Sequence, residues 1–281
     1  MRRPTIEWQV AGACNYDCSY CIQSRKYRRG RPERTQIDHA LQFFAALPNR
    51  WEIKCSGGEA FAHPLFMAQI VPGLMQQTSH DISVLTNFSA DHHTLHRFAA
   101  LTADRLKVFS ASFHIEYAQA EAFAAKAAWF VDLLAPDARF VINQVVLPGR
   151  EAEAAACRDV FEAEGLRWFP QLYKRKGGVA EYDDERALRA LIGDAPGPAD
   201  ANVAPSYRGR LCWAGVDYMV VDKNGHAWSC RTAKRHDQGY LGNILDGSVT
   251  RLQAPAACTY DICPCTVPAN RGMIEGVRGA M

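Results

Sequence analysis

Three cysteines lie within eight residues near the beginning of the 281-residue chain, in the segment Cys-Asn-Tyr-Asp-Cys-Ser-Tyr-Cys. Cys14, Cys18 and Cys21 are too close together to serve three separate cores easily, but their thiolates can ligate one soft metal centre. Three ligands leave one iron of a [4Fe–4S] cluster open for chemistry. The alternative is a zinc site or unrelated thiols. Zinc normally takes four ligands, and no fourth Cys or His lies just beyond Cys21.

A second group of cysteines lies in the last quarter of the chain. It consists of Cys212, Cys230, Cys258, Cys263 and Cys265. Cys212 and Cys230 flank a predicted β-hairpin, whose Asn-Gly turn at 224–225 is typical of tight hairpins. Clustered thiols without an export signal indicate metal ligation rather than disulfides. The other two cysteines, Cys55 and Cys157, stand alone, and we expect them to be buried as small apolar side chains.

Six apolar segments with the length of strands alternate with segments of helical periodicity. The predicted strands cover residues 6–12, 51–55, 82–85, 106–113, 140–146 and 167–173. Continuous apolar runs such as 106–113 are typical of strands covered on both faces, so the sequence predicts parallel β/α units. Periodicity alone allows either a barrel-like sheet or a doubly wound one.

A segment rich in Pro, Gly and Asp interrupts this alternation at 194–206 and is predicted to be a linker. It divides the chain into a first domain over 1–193 and a small cysteine-rich domain over 207–281. The hairpin lies near the start of the second domain. We therefore expect a large α/β domain followed by a smaller module with its own cysteine site.

Charge and hydropathy argue against several kinds of partner. The net charge of +2 gives no general attraction to nucleic acid or to a membrane surface. No apolar stretch approaches the roughly 20 residues that a membrane-spanning helix needs, and no apolar signal core follows the first five residues. The expectation is a cytoplasmic protein that binds neither nucleic acid nor membrane.

The spacing Cys-x3-Cys-x2-Cys, with the aromatic Tyr20 just before the third cysteine, resembles the radical S-adenosylmethionine (SAM) superfamily. The resemblance implies a partial (β/α)6 barrel and a [4Fe–4S] cluster on Cys14, Cys18 and Cys21. It also implies that SAM is cleaved reductively to a 5′-deoxyadenosyl radical, which abstracts hydrogen from the substrate. In such enzymes the cofactor carries the difficult chemistry and the protein positions it.

The segment Ser-Gly-Gly-Glu at 56–59 follows the second predicted strand and resembles the family's site for the amine of SAM. Gly57 and Gly58 allow a ligand to approach the backbone closely. Glu59 adds a carboxylate for a cationic amine. Without the cysteine motif upstream, these residues would indicate only a turn.

Other candidates lie at the carboxyl ends of the predicted strands, where functional residues of α/β barrels are found. The resemblance implies that Tyr20 contacts the adenine of SAM and that Ser112 contacts its ribose or carboxylate. Asn143 ends the fifth predicted strand and is a further cofactor-binding candidate. His114 and Glu116 are the candidate catalytic residues for the substrate.

The second cysteine group resembles the twitch and SPASM extensions of radical SAM enzymes, which hold auxiliary [4Fe–4S] clusters. Five cysteines exceed the four that one cluster needs and are too few for two, which favours a twitch-like domain with one cluster. Its expected ligands are Cys212, Cys230 and two of Cys258, Cys263 and Cys265. The alternative is structural zinc held by four thiolates.

The predicted function is the oxidation of a small polar metabolite, by dehydrogenation or oxidative bond formation, with the second cluster as electron acceptor. One alternative is oxidative modification of a ribosomally made peptide, by cross-linking or epimerisation. A first strand near residue 6 leaves no room for a leader-binding module, which weakens that alternative. Another is a non-catalytic iron–sulfur or zinc module for electron transfer. The basic run 25–34 is expected to dock an acidic electron donor of the flavodoxin or ferredoxin type, or to receive an anionic substrate.

Overall fold

The computed structural model describes residues 2–23, 25–175, 178–193, 207–261, 263 and 265–277. Its central feature is a sheet in which six strands run parallel and lie side by side in chain order. These strands are β1 (Thr5–Ala11), β2 (Glu52–Gly57), β3 (Asp81–Thr86), β4 (Leu106–Phe113), β5 (Arg139–Val146) and β6 (Trp168–Leu172). A doubly wound sheet reverses its strand order at a switch point. The sequential order therefore confirms the α/β fold of a partial barrel. The sheet is open in the described part of the chain, and β6 forms one edge.

Helices follow the strands and cover the sheet with apolar faces. They are α1 (Arg34–Ala45), α2 (Val71–Gln77, preceded by a π-helical turn over Phe66–Ile70), α3 (His92–Thr102), α4 (Ala120–Val131), α5 (Glu151–Ala163) and α6 (Glu185–Ile192). In α1 the spacing of Ile37, Leu41 and Phe44 puts all three on the buried face. Asp91 begins α3 by accepting a hydrogen bond from the Thr94 N–H.

The last part of the chain returns to the same sheet. Its short elements are β7 (Lys174–Arg175), β8 (Gly178–Val179), β9 (Leu211–Cys212), β10 (Tyr218–Val221), β11 (His226–Trp228), α7 (Arg231–Arg235), β12 (Tyr240–Asn243), β13 (Ala256–Ala257) and α8 (Thr266–Asn270). The predicted hairpin is β10–β11, and Gly225 takes the positive φ that its turn requires. β10 pairs in parallel with β1, so the sheet has nine strands, ordered β12-β11-β10-β1-β2-β3-β4-β5-β6. The linker predicted at 194–206 lies outside the described residues, and the division into domains stays a prediction.

Two of the ten cysteines are isolated in the core, as expected: Cys55 is fully buried in β2 and Cys157 is buried in α5. Across the described ranges, no helix is both long and apolar enough to cross a lipid bilayer.

Candidate active site

A cavity of about 340 Å³ opens where the carboxyl ends of the parallel strands meet. Cys14, Cys18 and Cys21 all line it, because they lie in the loop that follows β1. Gly57 and Gly58, at the end of β2, line the same cavity. The fold thus brings the two sequence motifs to one place, as the carboxyl edge of a parallel sheet does for functional residues.

The segment after β4 holds the cysteine loop. Glu116 accepts hydrogen bonds from the N–H of Ser19, at 2.9 Å, and from its hydroxyl. The Tyr117 hydroxyl accepts one from the Asp17 N–H at 2.8 Å. Glu116 was predicted to act on the substrate. In the structure it is exposed and binds the loop between the second and third cysteines.

His114 lies against the cysteine loop. Its Nδ1 is 3.0 Å from the Tyr20 hydroxyl and 3.5 Å from Cys18 Sγ. Burial lowers the pKa of His114 to about 4, although Glu116 acts in the opposite direction. His114 is therefore neutral at pH 7, and its ring lies on the wall of the cavity.

Gly57 and Gly58 pack against the backbone at the base of the cysteine loop. A Cβ at Gly58 would collide with the carbonyl oxygens of Ala13 and Gly12, and one at Gly57 would collide with that of Ala11. Gly57 also has φ +138°, which side chains other than glycine's rarely allow. Glycine is required here because β2 and the loop after β1 are in contact, whether or not a ligand is bound.

Glu59 is fully buried and does not line the cavity. Its carboxylate accepts hydrogen bonds from the Thr86 hydroxyl and the Asn87 N–H, both at 2.6 Å, and from the Phe61 N–H at 3.0 Å. Burial raises the pKa of Glu59, and these three donors act against that effect. The carboxylate thus fixes the turn after β3 instead of facing the cavity.

That turn presents Asn87, a cavity residue that the site prediction omitted. Asn87 Nδ2 donates to Asn15 Oδ1 at 2.8 Å, and Asn15 in turn donates to the Ser89 hydroxyl at 2.9 Å. Its position at the carboxyl end of β3 was the available signal. Ser112 and Asn143 are register partners on β4 and β5, and both line the cavity.

Asn143 Nδ2 is buried and has no hydrogen-bond partner in the described part of the chain. A buried amide N–H without an acceptor is costly. Its position on the cavity wall fits a site that a ligand completes.

The second cysteine group gathers beside the sheet. Cys263 is buried among Tyr207, Ala269 and Ile274, and Cys212 and Cys258 pack against this cluster. Cys230 and Cys265 pack around a neighbouring cluster that contains Tyr218. Burial is the main cause that raises the pKa of Cys212 and Cys230 to about 11, and Cys258 adds to it in both.

The front thiols are also close enough to affect one another. Burial, followed by Cys21 and Cys14, raises the pKa of Cys18 to about 12. No group of three or more Cys, His, Asp or Glu among the described residues has the arrangement of a metal site. The donor chemistry of both groups fits iron–sulfur ligation nonetheless. Three thiols share one cavity in front, and five lie together behind, where four suffice for a closed cluster or for zinc.

Solved structures with the same fold were found for this chain, although no protein-family model and no curated sequence matches it. SuiB of Streptococcus suis, bound to its precursor peptide SuiA, has a TM-score of 0.64 and 12% identity, covering 89% of this chain and 65% of SuiB. The protein anSMEcpe with bound AdoMet has a TM-score of 0.59 and 14% identity over 87% of this chain and 78% of that one. BtrN in complex with AdoMet and 2-DOIA has a TM-score of 0.50 and 15% identity over 88% and 80%. The likeness at these identities is one of fold.

Proposed function

We propose that this chain, which has the fold of the radical SAM enzymes BtrN, anSMEcpe and SuiB, is itself a radical SAM enzyme. Cys14, Cys18 and Cys21 would hold a [4Fe–4S] cluster with SAM beside it. When bound, this pair supplies a carbon-centred radical that removes a hydrogen atom from the substrate. The observation that carries the proposal is that all three thiols line the same cavity as Gly57 and Gly58.

Several other residues of the cavity would bind and position SAM. Tyr20 and Ser112 are the proposed contacts for its adenosyl part, and Asn143 supplies a buried N–H that awaits an acceptor. Gly57 and Gly58 line the site, and the Gly57 carbonyl and the Gly58 N–H are already bonded to Gln23 and Ala11. Glu59 supports this site through Thr86 and Asn87, since its carboxylate already accepts three hydrogen bonds.

His114 and Glu116 take different roles from those expected of substrate residues. Both contact the cysteine loop, and they would keep the three thiols in position. His114 is neutral at pH 7, because burial lowers its pKa to about 4. It can therefore donate only one ring N–H, and its Nδ1 faces Tyr20 and Cys18.

For the reaction, we propose oxidation of a small polar metabolite, with an auxiliary [4Fe–4S] cluster on the second cysteine group. The supporting observation is that Cys265 lines the same cavity as the front cysteines. A second centre held by Cys212, Cys230, Cys265 and one of Cys258 and Cys263 would lie at the cavity wall. There it would be placed to accept one electron from the substrate radical, which also loses a proton to complete the two-electron oxidation.

Two alternatives remain. SuiB is bound to a precursor peptide in its solved structure, so peptide modification is the second candidate for this fold. The third is a non-catalytic electron-transfer or zinc module. The exposed basic residues of 25–34, such as Arg25, would dock an acidic flavodoxin or ferredoxin as electron donor for either enzyme.

The decisive experiment is SAM cleavage. Anaerobically reconstituted protein is incubated with dithionite and SAM, and 5′-deoxyadenosine is quantified by mass spectrometry. We expect product from the wild type and from Cys157→Ala, which removes an isolated core thiol. Cys18→Ala should give none. If the wild type makes no 5′-deoxyadenosine under strong reductant, the enzyme proposal fails and the non-catalytic module is favoured.

A further inference from the structure

The cavity is lined by positive charge. Eight described Lys and Arg side chains line it, whereas Glu7 is the only described Asp or Glu that does so. Radical SAM chemistry does not itself require such a wall. The cations differ in what surrounds them, and they fall into three groups.

The first group is neutralised within the protein. Arg231 donates two hydrogen bonds to Glu7, at 2.9 and 2.7 Å. Arg271 does the same to Glu52, and Arg28 pairs with Asp17. The bidentate pairs of Arg231 and Arg271 satisfy both partners, and Arg28 also donates from Nε to the Gln23 carbonyl, so these three arginines are committed to structure.

The second group lies near the rear cysteines. Burial lowers the pKa of Lys174 to about 8, whereas Cys265 and Cys263 act to raise it. Arg235 is affected by the same two thiols. These two cations therefore lie close to Cys263 and Cys265.

The third group consists of Lys54, Arg139 and Arg167 and lies towards the amino ends of the strands, away from the cysteine loop. Arg139 is the first residue of β5, Arg167 comes just before β6, and Lys54 is near the start of β2. The cysteine loop follows the carboxyl end of β1, and the strands are parallel, so this group lies at the deep end of the cavity. Asn143 is the fourth residue after Arg139 along β5, which corresponds to about 13 Å of strand length.

Strand register places two of these cations in a single row across the sheet. Glu7 pairs with Lys54, Lys54 with Ser83, Ser83 with Val108 and Val108 with Arg139. Arg167 lies close to Arg139 as well. Burial lowers the pKa of Arg139 most, and the positive charges of Arg167, Arg271 and Arg3 lower it further.

Lys54 is the most telling member of the group, because it is only 8% exposed. Its ammonium group makes no hydrogen bond with any described residue, and Arg167 likewise makes none through its side chain. The negative groups that act on Lys54 are Glu7, Cys265 and Glu52, but none of them makes a hydrogen bond with its ammonium group. Glu7, its register neighbour, already accepts from Arg231 and Tyr218, and Glu52 accepts from Arg271. A buried cation normally has a hydrogen-bonded counter-charge.

We propose that the substrate carries an anionic group, a carboxylate or a phosphate, which Lys54 and Arg167 bind at the deep end of the cavity, where Arg139 adds positive charge. The inference rests on the proposed function and adds the chemical class of the substrate. A guanidinium group and an ammonium group match the oxygens of either anion. The rest of the substrate extends towards the cysteine loop, so its reacting carbon and its anion lie at opposite ends of the molecule.

The test is anion binding by the reconstituted protein without SAM turnover. Inorganic phosphate and acetate are titrated separately at constant ionic strength, and binding is followed by calorimetry and by the shift in melting temperature. Arg167→Gln and Lys54→Met are compared with Arg158→Gln, a change on the outer helix α5. All variants are first checked for wild-type iron content and circular dichroism.

We expect saturable binding to the wild type and to Arg158→Gln, and at least a tenfold rise in Kd for Arg167→Gln and for Lys54→Met. Binding of phosphate alone identifies a phosphate-bearing substrate, and comparable binding of acetate identifies a carboxylate. The inference is wrong if neither anion binds to the wild type. It is also wrong if Arg167→Gln and Lys54→Met fold and bind the anion with the same Kd as the wild type. A protein that binds phosphate but makes no 5′-deoxyadenosine contradicts only the proposed function.

Discussion

Arg271 donates two hydrogen bonds to the carboxylate of Glu52, one of them from Nε at 2.9 Å, and the Glu52 side chain has no exposed surface. Glu52 opens β2, and Arg271 follows α8. The pair therefore joins the second strand of the sheet to the segment that carries Cys263 and Cys265. Arg3 lies 3.5 Å from the same carboxylate.

Removal of Arg271 should be costly. Arg271→Met leaves the buried Glu52 carboxylate with Arg3 as its remaining cation, and we expect a loss of about 3 kcal/mol in the free energy of unfolding. Urea denaturation measures it. Arg158→Met, which breaks an exposed pair on α5, should cost less than about 1 kcal/mol. Equal losses in the two variants would contradict the buried-pair argument.

The Glu52 carboxylate should also make the stability of the protein depend on pH. Burial alone would raise the pKa of Glu52, but Arg271, a hydrogen bond from Ser83 and Arg3 together lower it below 4.5. A carboxylate whose pKa is lower in the folded state stabilises the protein fully when the pH is above its unfolded-state pKa. This stabilisation is lost as the pH falls through the folded-state pKa. Wild-type stability should therefore fall more steeply than that of Glu52→Gln below pH 4.5. Parallel curves over that range would show that the carboxylate is not linked to folding.

Glu59→Gln should destabilise the chain by about 2 kcal/mol, because the new amide group must face N–H and O–H donors in a buried site. The Asn87 turn should loosen, and the Kd for SAM should rise. Denaturation and calorimetry measure the two effects. The matched control is Glu164→Gln on the surface, where neither quantity should change. A higher Kd without any loss of stability would instead indicate direct contact between Glu59 and SAM.

Glu116→Gln should weaken the hold on the cysteine loop. The Ser19 N–H and hydroxyl would lose a charged acceptor, worth about 1 kcal/mol. Reconstituted protein should therefore release iron to a chelator roughly fivefold faster than the wild type. The absorbance of the chelated iron follows this rate, again with Glu164→Gln as control. If Glu116 acted only on substrate, iron release would be unchanged.

Replacement of Cys14, Cys18 and Cys21 by Ala together isolates the rear group. We expect about four irons per chain to remain after anaerobic reconstitution, the content of one cluster. Iron and sulfide analysis, with zinc measured in parallel, gives the count. Iron near zero with zinc in its place would make the rear site structural and favour redox-neutral radical chemistry.

Much of the fold could be predicted from the hydrophobic pattern of the sequence. Residues 106–113 were predicted as a strand, and β4 has those bounds. Periodicity left the strand order open, because a buried parallel strand has the same apolar pattern in a barrel as in a doubly wound sheet. Hydrophobic periodicity also could not predict the pairing of β10 with β1, because nothing local in either strand specifies a partner so distant in the chain.

The site was predicted unevenly. Cys14, Cys18 and Cys21 line one cavity, and the sequence could indicate this because residues within one short loop need no tertiary information to lie together; their role as cluster ligands stays a prediction. Glu59 shows the limit: its residue type suggested a ligand contact, and only the fold reveals three donors already bound to it. For Lys54 a signal was present in the sequence. It is a lysine in the apolar strand 51–55, where a charge has a cost that function must justify.

The parallel pairing of β10 with β1 has a consequence for how the protein is made. Thr5 and Tyr218 are register partners more than 200 residues apart. During synthesis, β1 therefore cannot pair with β10 until most of the polypeptide has left the ribosome. Until then its open edge is available to other chains. A pairing at such sequence separation also slows folding. We therefore expect fragments that stop before residue 218 to aggregate during expression.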